Sequence, residues 1–169
     1  QLGGLSRMTD EWYLLGVNLI TSGTLGLSDE PIVLRPPGYP VFVAGALRLI
    51  AGRPGPLSLG YWERGIHAVY LAQSLVLSAT VVTLFLWLAG FVRRRVAFVS
   101  ALALGLNPYS IVLVGLLHYD VLHVFFIVAG GWALGSAIAG CGSNATWRML
   151  LAGVVWCLAT LVRPASLLL

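Results

Sequence analysis

The sequence predicts an all-α integral membrane protein, a polytopic bundle of transmembrane helices with an outer loop that carries short interfacial helices. Two observations lead to this prediction. Hydrophobic residues make up 59% of the 169 residues and charged residues only 9%, whereas an average soluble domain has about 25% charged residues. The second is a series of apolar stretches in the later two thirds of the chain, because a helix crosses a bilayer with roughly 20 apolar residues.

Four apolar segments are predicted to cross the membrane, at about residues 66–92, 96–117, 121–140 and 149–169. The first three hold no Lys, Arg, Asp or Glu. Within the second, Asn107-Pro108 predicts a kink or an early exit of the helix. The fourth meets Arg163-Pro164 after a short apolar stretch, so it is either a short helix or one that continues through a break. Residues 66–169 therefore form the predicted transmembrane bundle.

Residues 1–65 are predicted to form an extracytoplasmic loop with interfacial helices at about 10–22 and 39–52. The second of these helices follows two prolines and is interrupted by Arg48. A length of 10–14 apolar residues is typical of an interfacial or re-entrant helix. Thr9 or Asp10 can cap the first helix, whose aromatic residues would rest on the membrane surface as amphipathic anchors do.

Basic residues set the predicted orientation through the positive-inside rule. All ten basic residues are Arg. Arg93-Arg94-Arg95 joins the first two spans and Arg148 lies in the next connection on the same side, so this side is predicted to be cytoplasmic. All six acidic residues then fall on the outer side: Asp10, Glu11, Asp29, Glu30, Glu63 and Asp120. Solubility alone explains some of them, but the arrangement also brings Asp10 and Asp120 to one membrane face.

Acidic and basic side chains on one face suit chemistry at a membrane surface. A carboxylate there can act as a general base. A guanidinium binds two phosphate oxygens at once and stays charged, and the arginines that map to the outer side include Arg35, Arg64 and Arg163. Arg64 can instead be an anchor that extends its charge to the surface. An ionisable group as close to an apolar segment as Arg163 is a functional hypothesis by default.

The outer turn His118-Tyr119-Asp120 permits two interpretations. It can ligate a divalent cation or bind a sugar, with His123 at position i+3 from Asp120 on the same helical face. Alternatively it is a polar turn in which Asp120 caps the following helix. The sequence assigns no other cofactor. Cys141 and Cys157 lack a ligand spacing and are predicted to be buried, inert thiols rather than a disulfide.

Several functional classes are not supported by the sequence. It contains no Gly-rich phosphate loop, no HExxH motif and no nucleophile elbow. The net charge of +4 reports topology in a membrane protein rather than nucleic-acid binding.

Six elements in this order resemble the GT-C superfamily, membrane glycosyltransferases that use polyprenyl-phosphate sugars, and in particular its PMT/ArnT-like branch. They are the acidic and aromatic start Asp10-Glu11-Trp12-Tyr13-Leu14, the segment Arg35-Pro36-Pro37-Gly38-Tyr39-Pro40, a span that ends in Arg93-Arg94-Arg95, an apolar span with Asn107-Pro108, the turn with Asp120, and Leu161-Val162-Arg163-Pro164. Related chains more often show Thr-Glu in the turn, and this departure leaves its role open.

The resemblance implies a direct, inverting transfer at the outer face of the inner (plasma) membrane. The catalytic residues it implies are Asp10 as general base, Glu11 beside it, and Asp120 near the donor. The lipid phosphate would be bound by Arg35, Arg64 or Arg163, and the substrate contacted by Tyr39, His118 and Tyr119. The implied partners are a polyprenyl-phosphate-linked sugar, the bilayer, and a lipid, glycan or protein acceptor.

Two alternatives compete with this expectation: a multi-span transporter or lipid flippase, and a non-catalytic membrane subunit. Because the chain opens on Gln1 and ends within an apolar stretch, we expect an N-terminal piece of a longer protein.

Overall fold

The computed structural model describes residues 5–26, 36–51, 59–140 and 143–163. Within these ranges the chain is helical and contains no strand. The helices are α1 (Leu5–Thr21), α2 (Gly38–Ala46, followed by a π-helical turn Leu47–Ala51), α3 (Leu59–Ala89), α4 (Arg94–Gly105), α5 (Pro108–Gly115), α6 (Asp120–Ala139) and α7 (Ser143–Val162).

Three helices are long and apolar enough to cross a membrane, namely Glu63–Leu88 within α3, the whole of α6, and Ala145–Val162 within α7. Helices α4 and α5 make a fourth span if they count as one, with a bend of 43° between them. The all-helical fold is therefore confirmed for the described residues, and three of the predicted spans correspond to helices that are long and apolar enough to cross a membrane.

The break predicted at Asn107-Pro108 is confirmed, and its local chemistry explains it. The Asn107 side-chain oxygen accepts a hydrogen bond from the Tyr109 backbone N–H at 2.9 Å, which caps the new helix. Pro108 occupies the first helical position, where its missing N–H removes no intrahelical bond. The chain thus ends one helix and starts another within the span.

Consecutive spans of the bundle run in opposite directions, with α4 and α5 counted as one bent span, so the bundle has two ends. We call them the Asp120 end, with the starts of α3 and α6 and the ends of α5 and α7, and the Arg93 end, with the ends of α3 and α6 and the starts of α4 and α7. Helix α6 packs on both α3 and α7. Two glycines allow the close approach: the indole of Trp87 covers Gly131 and that of Trp156 covers Gly130.

Helices α1 and α2 pack on each other and cover the Asp120 end. Their aromatic side chains form the main apolar cluster of the described residues together with side chains from α3, α6 and the turn before α6. Trp12 and Tyr13 are buried in this cluster, so the expectation that they rest on the membrane surface is wrong. An amphipathic pattern requires an apolar cover, but it does not distinguish lipid from protein as that cover.

Helix α7 also differs from its prediction. It begins at Ser143 and runs unbroken to Val162, so Arg148 lies within the helix rather than in the connection before it. The Arg148 Nη1 donates to the Ser136 carbonyl oxygen of α6 at 2.9 Å, because a long side chain can carry its charge back to the end of the neighbouring helix. Likewise α1 starts at Leu5 and α3 at Leu59, earlier than predicted. The predicted stretch after Arg163 lies outside the described residues.

Candidate functional site

An ion pair joins two helix ends at the Asp120 end of the bundle. Asp120 is the first residue of α6, and Arg163 follows the last residue of α7. The Arg163 Nη1 donates to Asp120 Oδ1 at 2.9 Å, and the exposed fractions of the two side chains are 45% and 16%. Because the carboxylate is largely shielded from water, the attraction is screened less than in a fully exposed pair.

The turn before Asp120 places a histidine ring against the same carboxylate. The His118 Nδ1 lies 3.3 Å from Asp120 Oδ2 and 3.3 Å from the Asp120 backbone nitrogen. An unprotonated Nδ1 accepts from the backbone N–H, whereas a protonated one donates to the carboxylate. The protonation of His118 therefore decides which of the two groups it binds.

The interpretation of Asp120 as a helix cap is wrong. The N-cap position of α6 is Tyr119, with no side-chain capping bond. The Asp120 carboxylate points instead to Arg163 and His118. A cationic partner attracts a carboxylate more strongly than a single backbone N–H does, which accounts for the difference.

Aromatic contacts connect α1 to this ion pair. The Tyr119 ring stacks on His118 with centroids 4.3 Å apart, and it meets Trp12 edge-on at 5.7 Å. The Arg163 guanidinium lies 5.9 Å from the Tyr119 ring centroid, within the range of a cation–π contact. Helix α1, which also contains Asp10 and the half-buried Glu11, is thus packed beside the turn.

A cavity of about 370 Å³ lies between α3, α5 and α6 and includes the ion pair in its lining. Most of its wall is apolar, with Leu77, Leu104, Leu113, Val121 and Val124. Its polar side chains are Asp120, His123, Arg163, Tyr109, Thr80, Asn107 and Ser110. An apolar cavity with a few converging polar groups is the usual form of a small-molecule site.

The predicted proximity of His123 and Asp120 on one face of α6 is confirmed, since both side chains line this cavity. The His123 Nδ1 is 3.4 Å from the Ala159 carbonyl oxygen of α7. Among the residues that the structure describes, no group of three or more His, Cys, Asp or Glu side chains is arranged to hold a metal ion.

Other predicted site residues lie elsewhere. Arg64 is exposed on the first turns of α3 and lines a separate groove with Glu63 and His67, so it is not part of the cavity that contains Arg163. Arg35 and the side chain of Asp10 fall outside the described part of the chain.

Tyr39 is not placed to contact a substrate. Its ring is 0% exposed, and its hydroxyl accepts a hydrogen bond from Gln73 Nε2 at 3.1 Å. Burial, and secondarily the neighbouring Tyr70, raises the pKa of Tyr39 well above its ordinary value. The prediction of a substrate contact at Tyr39 is therefore wrong, and the residue belongs to the packing of α2 on α3.

Sequence reasoning missed Gln73, which is buried in α3 and also donates from Nε2 to the His118 carbonyl oxygen at 3.0 Å. The available signal was a Gln within an apolar span, since a polar side chain there is costly without a partner.

No protein-family model, no curated protein and no solved structure matches the chain.

Proposed function

We propose that the protein is a membrane glycosyltransferase that moves a sugar from a polyprenyl-phosphate donor to an extracytoplasmic acceptor. One observation carries the proposal: the Asp120–Arg163 pair lines an apolar-walled cavity. Such a cavity fits an amphiphile with an anionic head and an apolar tail. The resemblance of the ordered motifs to the GT-C superfamily supports the same function.

Arg163 is proposed to bind the donor phosphate. A guanidinium has five N–H donors in a fixed plane, so it can contact a phosphate and a carboxylate together. Asp120, held at 2.9 Å, orients the guanidinium toward the cavity. Charge builds up on the leaving phosphate during transfer, and a preoriented cation stabilises such charge more than a mobile one does.

Asp10 is proposed as the general base. It takes the proton from the acceptor hydroxyl or amine, and the freed electron pair attacks the anomeric carbon on the face opposite the phosphate. The bond between the anomeric carbon and the phosphate oxygen breaks, and its electron pair leaves with the polyprenyl phosphate. The product has the inverted configuration, and the proton stays on the base until solvent removes it.

We place this chemistry on the extracytoplasmic side of the inner (plasma) membrane. The argument is the position of Arg93, Arg94 and Arg95 at the other end of the bundle, combined with the positive-inside rule. The acceptor, whether lipid, glycan or protein, and the identity of the sugar are left open by this proposal.

A second candidate function is transport of the lipid-linked sugar without cleavage. The broken helix favours it, because α4 and α5 meet at 43° where Asn107 lines the cavity. Discontinuous helices surround the substrate site in many transporters. The ionisable groups in this cavity lie at a helix end rather than near the middle of a span, which favours the transferase.

The test uses membranes that contain the protein and polyprenyl phosphates with a radiolabelled sugar. We expect the wild type to release sugar from the lipid, and Asp10→Asn to lose about 10²- to 10⁴-fold of this rate, the contribution of a general base. Glu11→Gln tests whether Glu11, the neighbour of Asp10, is the base instead. Glu63→Gln is the matched control, because Glu63 is an acidic residue of the same end in a different groove.

Equal release by the wild type and Asp10→Asn would remove Asp10 from catalysis. Movement of intact labelled lipid across the bilayer, without release from any donor, would overturn the transferase in favour of the transporter. If the wild type shows no release of sugar and no movement of the lipid, the result would favour a non-catalytic subunit.

A further inference from the structure

We propose that Gln73 is a positioning residue that holds the turn before α6 and thereby places Asp120 against Arg163. The inference concerns the geometry of this end of the bundle and does not depend on the transferase activity.

The orientation of the Gln73 amide is fixed by its partners. The side chain is 1% exposed, and its Nε2 lies 3.0 Å from the His118 carbonyl oxygen and 3.1 Å from the Tyr39 hydroxyl. A carbonyl oxygen can only accept, so the amide nitrogen must face it. Gln73 in α3 therefore connects α2 with the turn before α6.

The turn needs such a support because its backbone is strained. Leu117, directly before His118, has φ of 49°, the left-handed region that residues other than Gly seldom adopt. Leu117 is also buried in the apolar cluster, which fixes its side chain. Strained backbone persists where the surroundings over-determine it, and the bond from Gln73 is made at the very next carbonyl.

The position of the turn determines the position of the ion pair. His118 contacts Asp120 through its ring, and Asp120 contacts Arg163. If the His118 carbonyl is released, the first residue of α6 is free to rotate away from the end of α7. Gln73 touches neither charge of the pair and acts on it through His118.

The Gln73 amide also has a cost that its donated bonds must offset. Its Oε1 is buried and has no hydrogen-bond partner within the part of the chain that the structure describes. An apolar side chain of similar size would fill the same volume and remove this unpaired acceptor, but it would also take away the donor to the His118 carbonyl oxygen. The structural reason for an amide here is therefore its nitrogen, which spans two elements.

The test measures distances at both ends of the same two helices. In a background with Cys141→Ser and Cys157→Ser, one variant bears Asp120→Cys with Arg163→Cys. A second variant bears Ser136→Cys with Arg148→Cys, which are in contact at the Arg93 end. Each pair is cross-linked in membranes with a short bismaleimide, with Gln73 intact and with Gln73→Leu. The 120/163 cysteine pair lacks both charges of the ion pair whether residue 73 is Gln or Leu. The comparison of these two backgrounds therefore isolates the effect of Gln73.

We expect Gln73→Leu to lower cross-linking of the 120/163 pair about fivefold, the population shift given by one lost hydrogen bond of ordinary strength. The 136/148 pair should be unchanged. Tyr39→Phe removes only the other partner of Nε2 and should leave the 120/163 pair within about twofold.

An equal fall at both ends would show that Gln73 stabilises the bundle as a whole, and no change at either end would show that it positions nothing. Either result overturns the inference. If the leucine variant does not fold, Gln73→Met, with an unbranched chain of similar length, repeats the test.

Discussion

The two ends of the bundle use the same residue type for different purposes. At the Asp120 end, Arg163 donates to a carboxylate at 2.9 Å. At the Arg93 end, Arg148 donates to the Ser136 carbonyl oxygen, also at 2.9 Å, and Arg93, Arg94 and Arg95 are exposed. Helices α1 and α2 cover the first end.

The difference lies in the acceptor rather than in the distance. A carbonyl in the last turn of a helix is a fixed dipole that attracts a cation. The Arg148 contact therefore caps the end of α6 and holds α7 against it. A carboxylate can change its protonation or give up its arginine to a competing anion. Within the described part of the chain, only the Asp120 end thus combines charges that can rearrange with a cavity able to hold a ligand, and this is the end at which we propose the chemistry.

The first prediction concerns the close packing of α1 and α2 on the Asp120 end of the bundle. A Cβ at Gly65 would collide with the Tyr13 hydroxyl and lie 3.0 Å from Leu47 Cδ2, and both side chains are buried. Gly65→Ala should therefore lower the free energy of unfolding by about 1–3 kcal/mol, the usual penalty of overpacking. Thermal unfolding in detergent measures the change.

Gly45→Ala is the matched control, because no heavy atom lies within 4 Å of a Cβ at Gly45. Alanine in a helix interior should stabilise it by about 0.5–1 kcal/mol relative to glycine. Equal stability changes in both variants would contradict the tight packing of α1 on α3.

A smaller effect is expected from Tyr39 at alkaline pH. Burial raises the pKa of Tyr39 in the folded protein, so the folded state disfavours the phenolate more than the unfolded state does. The stabilisation is complete below the ordinary tyrosine pKa of about 10 and is lost as the pH rises from there toward the folded pKa.

The Tyr39→Phe variant has no proton to lose at this position. Its unfolding temperature should decline less steeply than that of the wild type between about pH 8 and about pH 11, on either side of the ordinary tyrosine pKa. If the unfolding temperatures of the two proteins decline in parallel, Tyr39 does not contribute to alkaline unfolding, and α1 and α2 leave it more accessible to water than the structure indicates.

The sequence was sufficient to predict the features that depend on neighbouring residues. Apolar length predicted the spans, Asn107-Pro108 predicted the break, and the i+3 spacing placed His123 with Asp120. Each of these follows from helix geometry or from backbone constraints within a few positions.

Features that depend on packing between distant segments were not predicted. Asp120 and Arg163 are 43 positions apart, and their pairing follows from the way α6 and α7 pack. Gln73 and His118 are 45 positions apart, and nothing near Gln73 in sequence identifies its partner. The burial of Trp12 depends on α2 and Tyr119, which its own helical pattern cannot reveal.

The most direct test compares one arginine from each end. Sugar release from labelled polyprenyl phosphate is measured in membranes with wild type, Arg163→Gln and Arg148→Gln. We expect Arg163→Gln to lower release about 10²- to 10³-fold, as the loss of a preoriented group that stabilises transition-state charge does. Arg148→Gln should stay within about threefold, because an exposed contact of this kind contributes little. Equal losses in both variants, or full release by Arg163→Gln, would contradict the assignment of the chemistry to the Asp120 end.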